Sequence, residues 1–333
     1  MRRRWVLVLL AAAFLAAVVL HFADVREFWQ TVRSGRWEWV AAALVLQAVY
    51  YFFYTGIYQA AFLAVDVALP LLPLVPVLLG SVFVNTVVPS LGAGGAALFV
   101  SDAARRGRSP AAVAAGTVLV PLIDMTTLNL MLVAGLVQLA WEGKVIGFEI
   151  ASAAILVVLN LTLVGLLVAG LKRPQFSRHL LRLFEQVANA VSQRLRHRPA
   201  LPDGWSYTYS EEFVAAARAA STHGRRLWRG LGVALLANIA ELGSLWCLFL
   251  GFNEPLTYGV LVAGYTIGNV VQLIQFTPQG IGVVEGAMAL TYSALGAGAA
   301  GATAAILVFR GFNVGLPTLV GFFLVQHRGL SRR

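Results

Sequence analysis

Charged residues are scarce in this chain and are confined to short clusters. Only 12% of its 333 residues are Asp, Glu, Lys or Arg, about half of the roughly 25% that is typical of soluble globular domains. The stretches between the clusters are long enough to cross a hydrocarbon core about 30 Å thick, which takes roughly 20 apolar residues in a helix. The composition therefore excludes a soluble enzyme, and the continuous apolar runs argue against a transmembrane β-barrel, whose strands alternate.

Cysteine and clustered histidine are also lacking. The single cysteine, Cys247, lies within an apolar run, so the sequence contains neither a disulfide framework nor a cysteine metal site. There is no Asp-x-Asp cluster and no G-x-x-x-x-G-K-[ST] nucleotide loop. We therefore expect no cofactor and no metal. The five histidines are scattered, at His21, His179, His197, His223 and His327.

The apolar runs predict an all-α polytopic membrane protein with about six to ten membrane segments. A basic start precedes the first run without a convincing small-residue cleavage site, so we expect a retained helix rather than a signal peptide. Two further stretches, 70–104 and 256–297, are interrupted by proline and glycine, and each is consistent with two full crossings or with a re-entrant pair of short helices. The uninterrupted runs predict spans near 5–22, 39–65, 111–139, 147–171, 230–251 and 300–325.

The distribution of Lys and Arg predicts that both termini are cytoplasmic. In that orientation 20 of the 25 Lys and Arg residues lie in inside segments and only four lie in outside loops, as the positive-inside rule requires. We expect one transmembrane domain in a bacterial cytoplasmic membrane. Its halves, 1–171 and 230–333, are joined by a cytoplasmic loop, 172–229.

This central loop carries much of the net charge of +10, with 11 basic and four acidic residues. Anionic headgroups of the cytoplasmic leaflet attract such segments, so the charge requires no nucleic acid. A soluble or membrane partner is left open, and the oligomeric state is not predicted. Apolar residues recur there at helical spacing, which favours an amphipathic helix on the membrane surface or a linker helix packed on the protein's own base. These residues are Phe176, Leu180, Leu183, Phe184, Val187, Val191 and Leu195.

The two interrupted stretches share an order of helix-breaking residues. Proline followed by glycines cannot continue a regular helix, and broken backbone at membrane depth must be buried in protein or line a wet cavity. Because the two stretches start from opposite sides, they predict an inverted repeat around a transport site, with tight helix crossings as the alternative. The half-helix N-termini would suit a lipid phosphate. The breaks contain Pro89 with Gly92, Gly94 and Gly95, and Pro278 with Gly280, Gly282 and Gly286.

Five ionisable residues fall within the apolar segments, where a charge is costly and a function is the default hypothesis. Glu285 begins the second half-helix and either caps it or serves gating, proton coupling or contact with a headgroup amine. Arg310 is expected to pair with Asp124 or Glu285, as a structural pair or as a headgroup clamp. Asp102 is expected to pair with a neighbouring arginine, and Glu241 to face the cavity or bond to a neighbouring helix.

Neutral polar side chains near the breaks are secondary candidates for site residues. Asn85, Asn269, Gln272 and Gln275 supply amides that often join helices at about 1 kcal/mol or less each. Two GxxxG pairs, Gly264/Gly268 and Gly311/Gly315, predict close helix packing.

Two longer patterns resemble the family of lysylphosphatidylglycerol synthase transmembrane regions, over roughly residues 5–325. They are NTVVPSLGAGG followed by ARRGRSPAAVAAGTVLVPLID, and TPQGIGVVEGAM followed by AAILVFRGFNVGLP. The second is the more distinctive, with Pro-x-Gly-x-Gly-x-x-Glu ending at Glu285 and then Arg310. The first departs from the pattern, because many members carry Glu where this chain has Gly95, Ala96 and Ala97.

The resemblance implies a flippase-like protein. Synthases of the family carry a large soluble aminoacyl-transferase domain after the membrane part, whereas this chain ends at Arg333. We therefore expect translocation of a phospholipid or lipid-linked compound, with Glu285 and Asp124 as proton-sensitive residues. The alternatives are a membrane enzyme acting on lipid-linked substrates and an accessory scaffold in envelope biosynthesis.

Overall fold

The computed structural model describes residues 35–87, 92–143, 147–172, 204–222, 224–274 and 278–327, together with a few positions between 179 and 189. Within these ranges the chain forms helices and turns and contains no strand. The predicted span at 5–22, Pro89, Gln275 and most of the predicted amphipathic helix at 176–195 lie outside the described residues.

The helices follow the apolar runs closely and end where charged or turn-forming residues begin. In chain order they are α1 (Trp37–Ala64), α2 (Leu71–Val87), α3 (Ala93–Arg105), α4 (Pro110–Trp141), α5 (Gly147–Lys172), α6 (Trp205–Thr222), α7 (Gly224–Gly251), α8 (Tyr258–Ile274), α9 (Val283–Ala294), α10 (Ala299–Arg310) and α11 (Leu316–His327). A 3₁₀ turn (Pro278–Gly280) precedes α9, and a π-helical segment (Gly311–Gly315) joins α10 to α11.

In the described part of the chain, four helical segments are long and apolar enough to cross a membrane. They are Trp37–Ala64, Pro110–Trp141, Gly224–Gly251 and Ala299–His327, the last of which includes the π-helical segment. Three shorter apolar helices, Leu71–Val87, Ile150–Leu166 and Tyr258–Leu273, accompany them. The all-α membrane class is thus confirmed. The exact number of crossings stays a prediction.

The chain divides into two compact units, each assembled from separate stretches. Unit 1 comprises Met1–Gln47, Leu132–Ser152 and Glu241–Leu316, and unit 2 comprises Ala48–Met131, Ala153–Ala240 and Pro317–Arg333. Unit 1 therefore contains the second interrupted stretch, and unit 2 contains the first.

In unit 2, α2 and α3 pair as a helical hairpin over a buried aromatic cluster. Phe62 and Phe99 are fully buried, and the ring of Tyr58 stacks on Phe99 at 4.3 Å between centroids. Gly321 of α11 has no side chain where the backbone of Leu79 approaches. Close backbone contact of this kind is how helices associate in an apolar solvent, where burial alone supplies little driving force.

In unit 1, α8 and α9 pair as a second hairpin, and one of the two GxxxG predictions is confirmed there. The ring of Tyr292 lies directly over Gly264, and Met288 lies over Gly268. The Tyr292 hydroxyl also donates a hydrogen bond to the carbonyl of Leu261 at 2.7 Å. These glycines let the two short helices approach closely.

The close packing predicted at Gly311 and Gly315 is not found among the described residues. A side chain at either position would meet no other described atom within 4 Å. Both glycines belong instead to the π-helical segment between α10 and α11. Glycine has no side chain to restrict the backbone in such a widened turn.

Candidate functional site

The broken backbone of the second hairpin lies between α8 and α9. Gln279 and Gly280 have φ of 54° and 68°, and Gly282, just before α9, has φ of 90°. Such left-handed conformations suit glycine but are strained for a glutamine. They reverse the chain within a few residues of Pro278, as the order of proline and glycines predicts.

Glu285 closes the start of α9. Its Oε2 accepts a hydrogen bond from the backbone N–H of Gly282 at 2.6 Å. It is the third residue of the helix, from which a glutamate can reach back to a donor that the helix leaves unsatisfied. The capping role expected for Glu285 is therefore present.

Arg310 binds the second hairpin at three points. Its Nε donates to the other carboxylate oxygen of Glu285, Oε1, at 2.8 Å, and the two side chains are only 7% and 12% exposed. Its terminal nitrogens donate to the backbone carbonyl of Gln279 at 2.5 Å and to Oε1 of Gln272 at 3.5 Å. Of the two partners predicted for Arg310, the structure selects Glu285.

This arrangement joins both half-helices and the break through one guanidinium. Gln272 belongs to α8, Gln279 to the turn and Glu285 to α9, and the amide of Gln272 also donates to Oε1 of Gln279 at 3.1 Å. An isolated Arg or Glu at membrane depth is costly, and pairing with further hydrogen bonds offsets part of that penalty. The pair therefore stabilises a backbone shape that the helix-breaking residues alone would leave unsupported.

Glu241 forms a second polar contact in unit 1, on α7. The Tyr265 hydroxyl donates to its Oε2 and the Asn313 side-chain amide donates to its Oε1, each at 2.5 Å. Asn313 lies in the π-helical segment, a widened turn that is frequent at functional sites. Glu241 thus forms hydrogen bonds to neighbouring helices, which is one of the two roles predicted for it.

The first hairpin, in unit 2, is held by a neutral side chain. Gly92 has φ of 89° and immediately precedes α3, the position that Gly282 occupies before α9. Gly94 lies in the first turn of α3, and the N–H of Gly95 donates to Oδ1 of Asn85 at 2.8 Å. Asn85 thus satisfies one of the donors that α3 leaves open at its start.

Asp102, near the end of α3, pairs with arginine as predicted. Nε of Arg106 donates to its Oδ2 at 2.7 Å, and a terminal nitrogen of Arg105 lies 3.7 Å from its Oδ1.

Asp124 occupies a neutral polar setting in unit 2. The side-chain amide of Asn238 on α7 donates both to Oδ1 of Asp124 at 3.1 Å and to the hydroxyl of Thr127 at 2.9 Å. On α5, Asn160 donates to the hydroxyl of Thr126 at 3.3 Å. Asp124 therefore has an amide partner in the place of the predicted arginine.

Several of these partners were absent from the sequence-based candidates. Asn238, Asn160, Tyr265 and Asn313 are single polar residues in apolar runs, and that isolation is the signal that could have singled them out. Among the described residues, no group of three or more His, Cys, Asp or Glu side chains is placed to hold a metal ion.

Comparison with known proteins agrees with the residue patterns. The profile of the lysylphosphatidylglycerol synthase TM region matches residues 5–321. A UPF0104 membrane protein from Methanothermobacter thermautotrophicus is 22% identical over 336 aligned residues, which cover 98% of this chain and 93% of that protein. Together with the apolar helices, these matches show an integral membrane protein that belongs to the lysylphosphatidylglycerol synthase transmembrane region family.

Proposed function

We propose that this protein is a flippase-like transporter, rather than an enzyme, which moves a phospholipid or lipid-linked compound between the leaflets of a membrane. The observation that carries the proposal is the broken hairpin of unit 1, whose turn is bound by the buried Arg310–Glu285 pair. Broken helices at membrane depth are typical of transport sites, where unwound backbone and helix ends contact polar substrate groups.

The chemistry of this turn suits an anionic headgroup. The N-terminus of α9 carries a partial positive charge, and a guanidinium has five N–H donors. Three of those of Arg310 have partners among the described residues, so a phosphate oxygen near the turn would bind the remaining donors in competition with the Glu285 carboxylate, which contacts both the guanidinium and the helix start. In this proposal the acyl chains remain in lipid while the headgroup passes the breaks.

The same proposal includes the inverted arrangement of the two hairpins and their re-entrant character. Gly92 and Gly282 stand at equivalent positions before α3 and α9 and have almost the same φ. This local similarity supports an internal repeat, and the charge distribution supports opposite orientations of the two hairpins.

Orientation and lipid contacts complete the proposal. Both termini and the loop 172–229 would face the cytoplasm of a bacterial cell, where the basic loop would contact anionic lipids rather than nucleic acid. At the start of α7, Arg225 and Arg229 are exposed, and Arg226 pairs with Asp66 at 2.6 Å.

Reconstituted protein tests the proposal directly. Vesicles containing headgroup-labelled phosphatidylglycerol, phosphatidylethanolamine or a polyprenyl phosphate are treated with a membrane-impermeant quencher, which reports the fraction of label in the outer leaflet. We expect the wild-type protein to render more label accessible than empty vesicles do. The test variant is Glu285→Gln with Arg310→Gln, which removes both charges without leaving one unpaired.

Glu254→Gln is the matched control, because Glu254 also accepts a backbone N–H at a helix start, from Gly298 at 2.8 Å, without an arginine partner among the described residues. Transport that is kept in this control and lost in the folded double variant supports a site at the second hairpin. If no tested lipid moves in wild-type vesicles, lipid translocation is rejected in favour of a membrane enzyme or scaffold.

A further inference from the structure

Asp124 is a carboxylate in the middle of a membrane-spanning helix, and it has no arginine or lysine partner among the described residues. In the described part of the chain, its side chain has one hydrogen-bond partner, the amide of Asn238. Two other acidic residues in apolar segments differ from it, because Asp102 is paired with Arg106 and Glu285 with Arg310. No cationic side chain in the described ranges therefore balances the charge of Asp124.

The described side chains near Asp124 are neutral amide and hydroxyl groups. Asn238 from α7 donates to it directly, whereas Asn160 from α5 donates to Thr126, which lies two residues further along α4 and therefore on another face of that helix. From α1, the Tyr58 side chain is a titratable group that interacts electrostatically with Asp124, and its ring stacks on Phe99 of α3.

The hydroxyl of Thr127 completes the set. It donates to the backbone carbonyl of Asp124 at 2.9 Å, and its oxygen accepts from Asn238. The single amide of Asn238 is therefore shared between Asp124 and Thr127, and the second carboxylate oxygen of Asp124 receives no protein donor among the described residues. A charged aspartate at the centre of a bilayer is costly, and a single amide donor that is shared with Thr127 offsets only part of that cost.

We propose that Asp124, with Asn238 and Thr127, forms a binding site for one monovalent cation, a proton or a sodium ion, within unit 2. Either ion removes the uncompensated charge, and the carboxylate and hydroxyl oxygens here are of the hard type that both accept. Glu285 does not share this role, because both of its oxygens are committed, one to Gly282 and one to Arg310. The inference goes beyond the proposed lipid transport and does not rest on it.

Two binding measurements on the full chain in lipid nanodiscs distinguish the two ions. Infrared difference spectra between acidic and alkaline buffers report a protonated carboxyl group, and retention of radioactive sodium reports sodium binding. Asp124→Asn, which preserves shape and hydrogen-bonding capacity, should abolish whichever signal the wild-type protein shows. Asp102→Asn is the control, because that carboxylate already has Arg106 as its counter-ion and should leave the signal unchanged.

Each of the two binding measurements can support or overturn the inference. A carboxyl band lost only in Asp124→Asn assigns the ion as a proton, and saturable sodium retention lost only in that variant assigns it as sodium. Absence of both signals in the wild-type protein overturns the inference, as does a signal that survives in folded Asp124→Asn. If Asp124→Asn does not fold, Asn238→Ala keeps the carboxylate and should change the cation affinity; an unchanged affinity contradicts the site. Neither assay includes lipid movement, so a protein that moves lipid but binds no cation refutes this inference alone.

Discussion

Neutralising one member of the Arg310–Glu285 pair should destabilise the protein more than neutralising both. Glu285→Gln leaves the Arg310 guanidinium buried without its counter-ion, and Arg310→Gln leaves the carboxylate in the same state, because their side chains are only 7% and 12% exposed. The double variant leaves no unpaired charge at this position. The prediction follows from the geometry of the second hairpin alone and requires no assumption about transport.

The magnitude can be worked from the contacts. Removing one partner of a buried pair typically lowers the free energy of unfolding by about 3–5 kcal/mol. Glutamine at 285 can still accept the N–H of Gly282, so its loss falls near the lower limit of that range. Glutamine at 310 also loses reach to the carbonyl of Gln279, so its loss falls higher. In the double variant we expect a loss of less than about 3 kcal/mol, which is smaller than either single loss, because no buried charge is left without a partner.

Equilibrium unfolding in mixed micelles of a mild detergent and dodecyl sulfate, followed by circular dichroism, measures these free energies. Glu254→Gln is the control, since it removes a carboxylate that caps Gly298 but leaves no buried arginine unpaired. Its expected loss is about 1 kcal/mol or less, the value of a charge at a helix N-terminus.

Additive single losses of under about 1 kcal/mol each would refute the reasoning, because the two side chains would then behave as solvated and independent charges. A loss in Glu254→Gln as large as that in Glu285→Gln would also contradict it, since the capping contact rather than the ion pair would then account for the effect.

Two further predictions use the same unfolding assay. Gly264→Ala should lower the free energy of unfolding by about 1–3 kcal/mol, because the new methyl group meets the buried ring of Tyr292. Gly286→Ala is the control and should not be destabilising, because the added methyl group meets no described atom within 4 Å. Equal losses in the two variants would refute the packing role of Gly264. Asn85→Ala should cost about 1–3 kcal/mol because it leaves a backbone N–H at the start of α3 without its acceptor. Asn269→Ala should cost less, because the partner of Asn269 among the described residues is a carbonyl within its own helix; the reverse order would contradict this assignment.

Length and apolar composition were sufficient to predict the helices. The spans expected at 39–65, 111–139 and 230–251 coincide within a few residues with α1, α4 and α7, apart from the start of α7 at Gly224. The break before α9 was predictable for a local reason, because proline and glycine act on the backbone at their own positions. Local chemistry also predicted the contact of Glu285 with the start of α9.

Contacts between helices were harder to predict. The sequence offered Asp124 and Glu285 as equal partners for Arg310, and nothing in the spacing distinguishes them. Almost uniformly apolar helices carry little amphipathic signal, so the sequence does not specify which face of a helix meets which neighbour. Asn238 and Asn313 form their hydrogen bonds to Asp124, Thr127 and Glu241 only because the helices pack in this way. Asn313, which donates to Glu241, also lies in a π-helical segment, Gly311–Gly315, that the sequence pattern did not predict.

The departure of the first hairpin from the family pattern has a local compensation. Gly95 is the third residue of α3, and Glu285 is the third residue of α9. A Cβ atom at position 95 would lie 2.5 Å from the amide nitrogen of Asn85, so the asparagine occupies the space that a side chain there would need and supplies the hydrogen bond to the helix start.

In each hairpin, the charge of the side chain that satisfies the helix start suits the charged residue on the helix that follows the hairpin. After the second hairpin, α10 carries Arg310, and the residue that caps α9 is an acid that this arginine neutralises. After the first hairpin, α4 carries Asp124, and the residue that satisfies the start of α3 is the neutral Asn85. A glutamate at Gly95 would add a further carboxylate to a unit in which Asp124 already lacks an arginine partner among the described residues. The missing acidic residue is therefore consistent with the setting of Asp124, and the starts of α3 and α9 are satisfied by side chains of different charge.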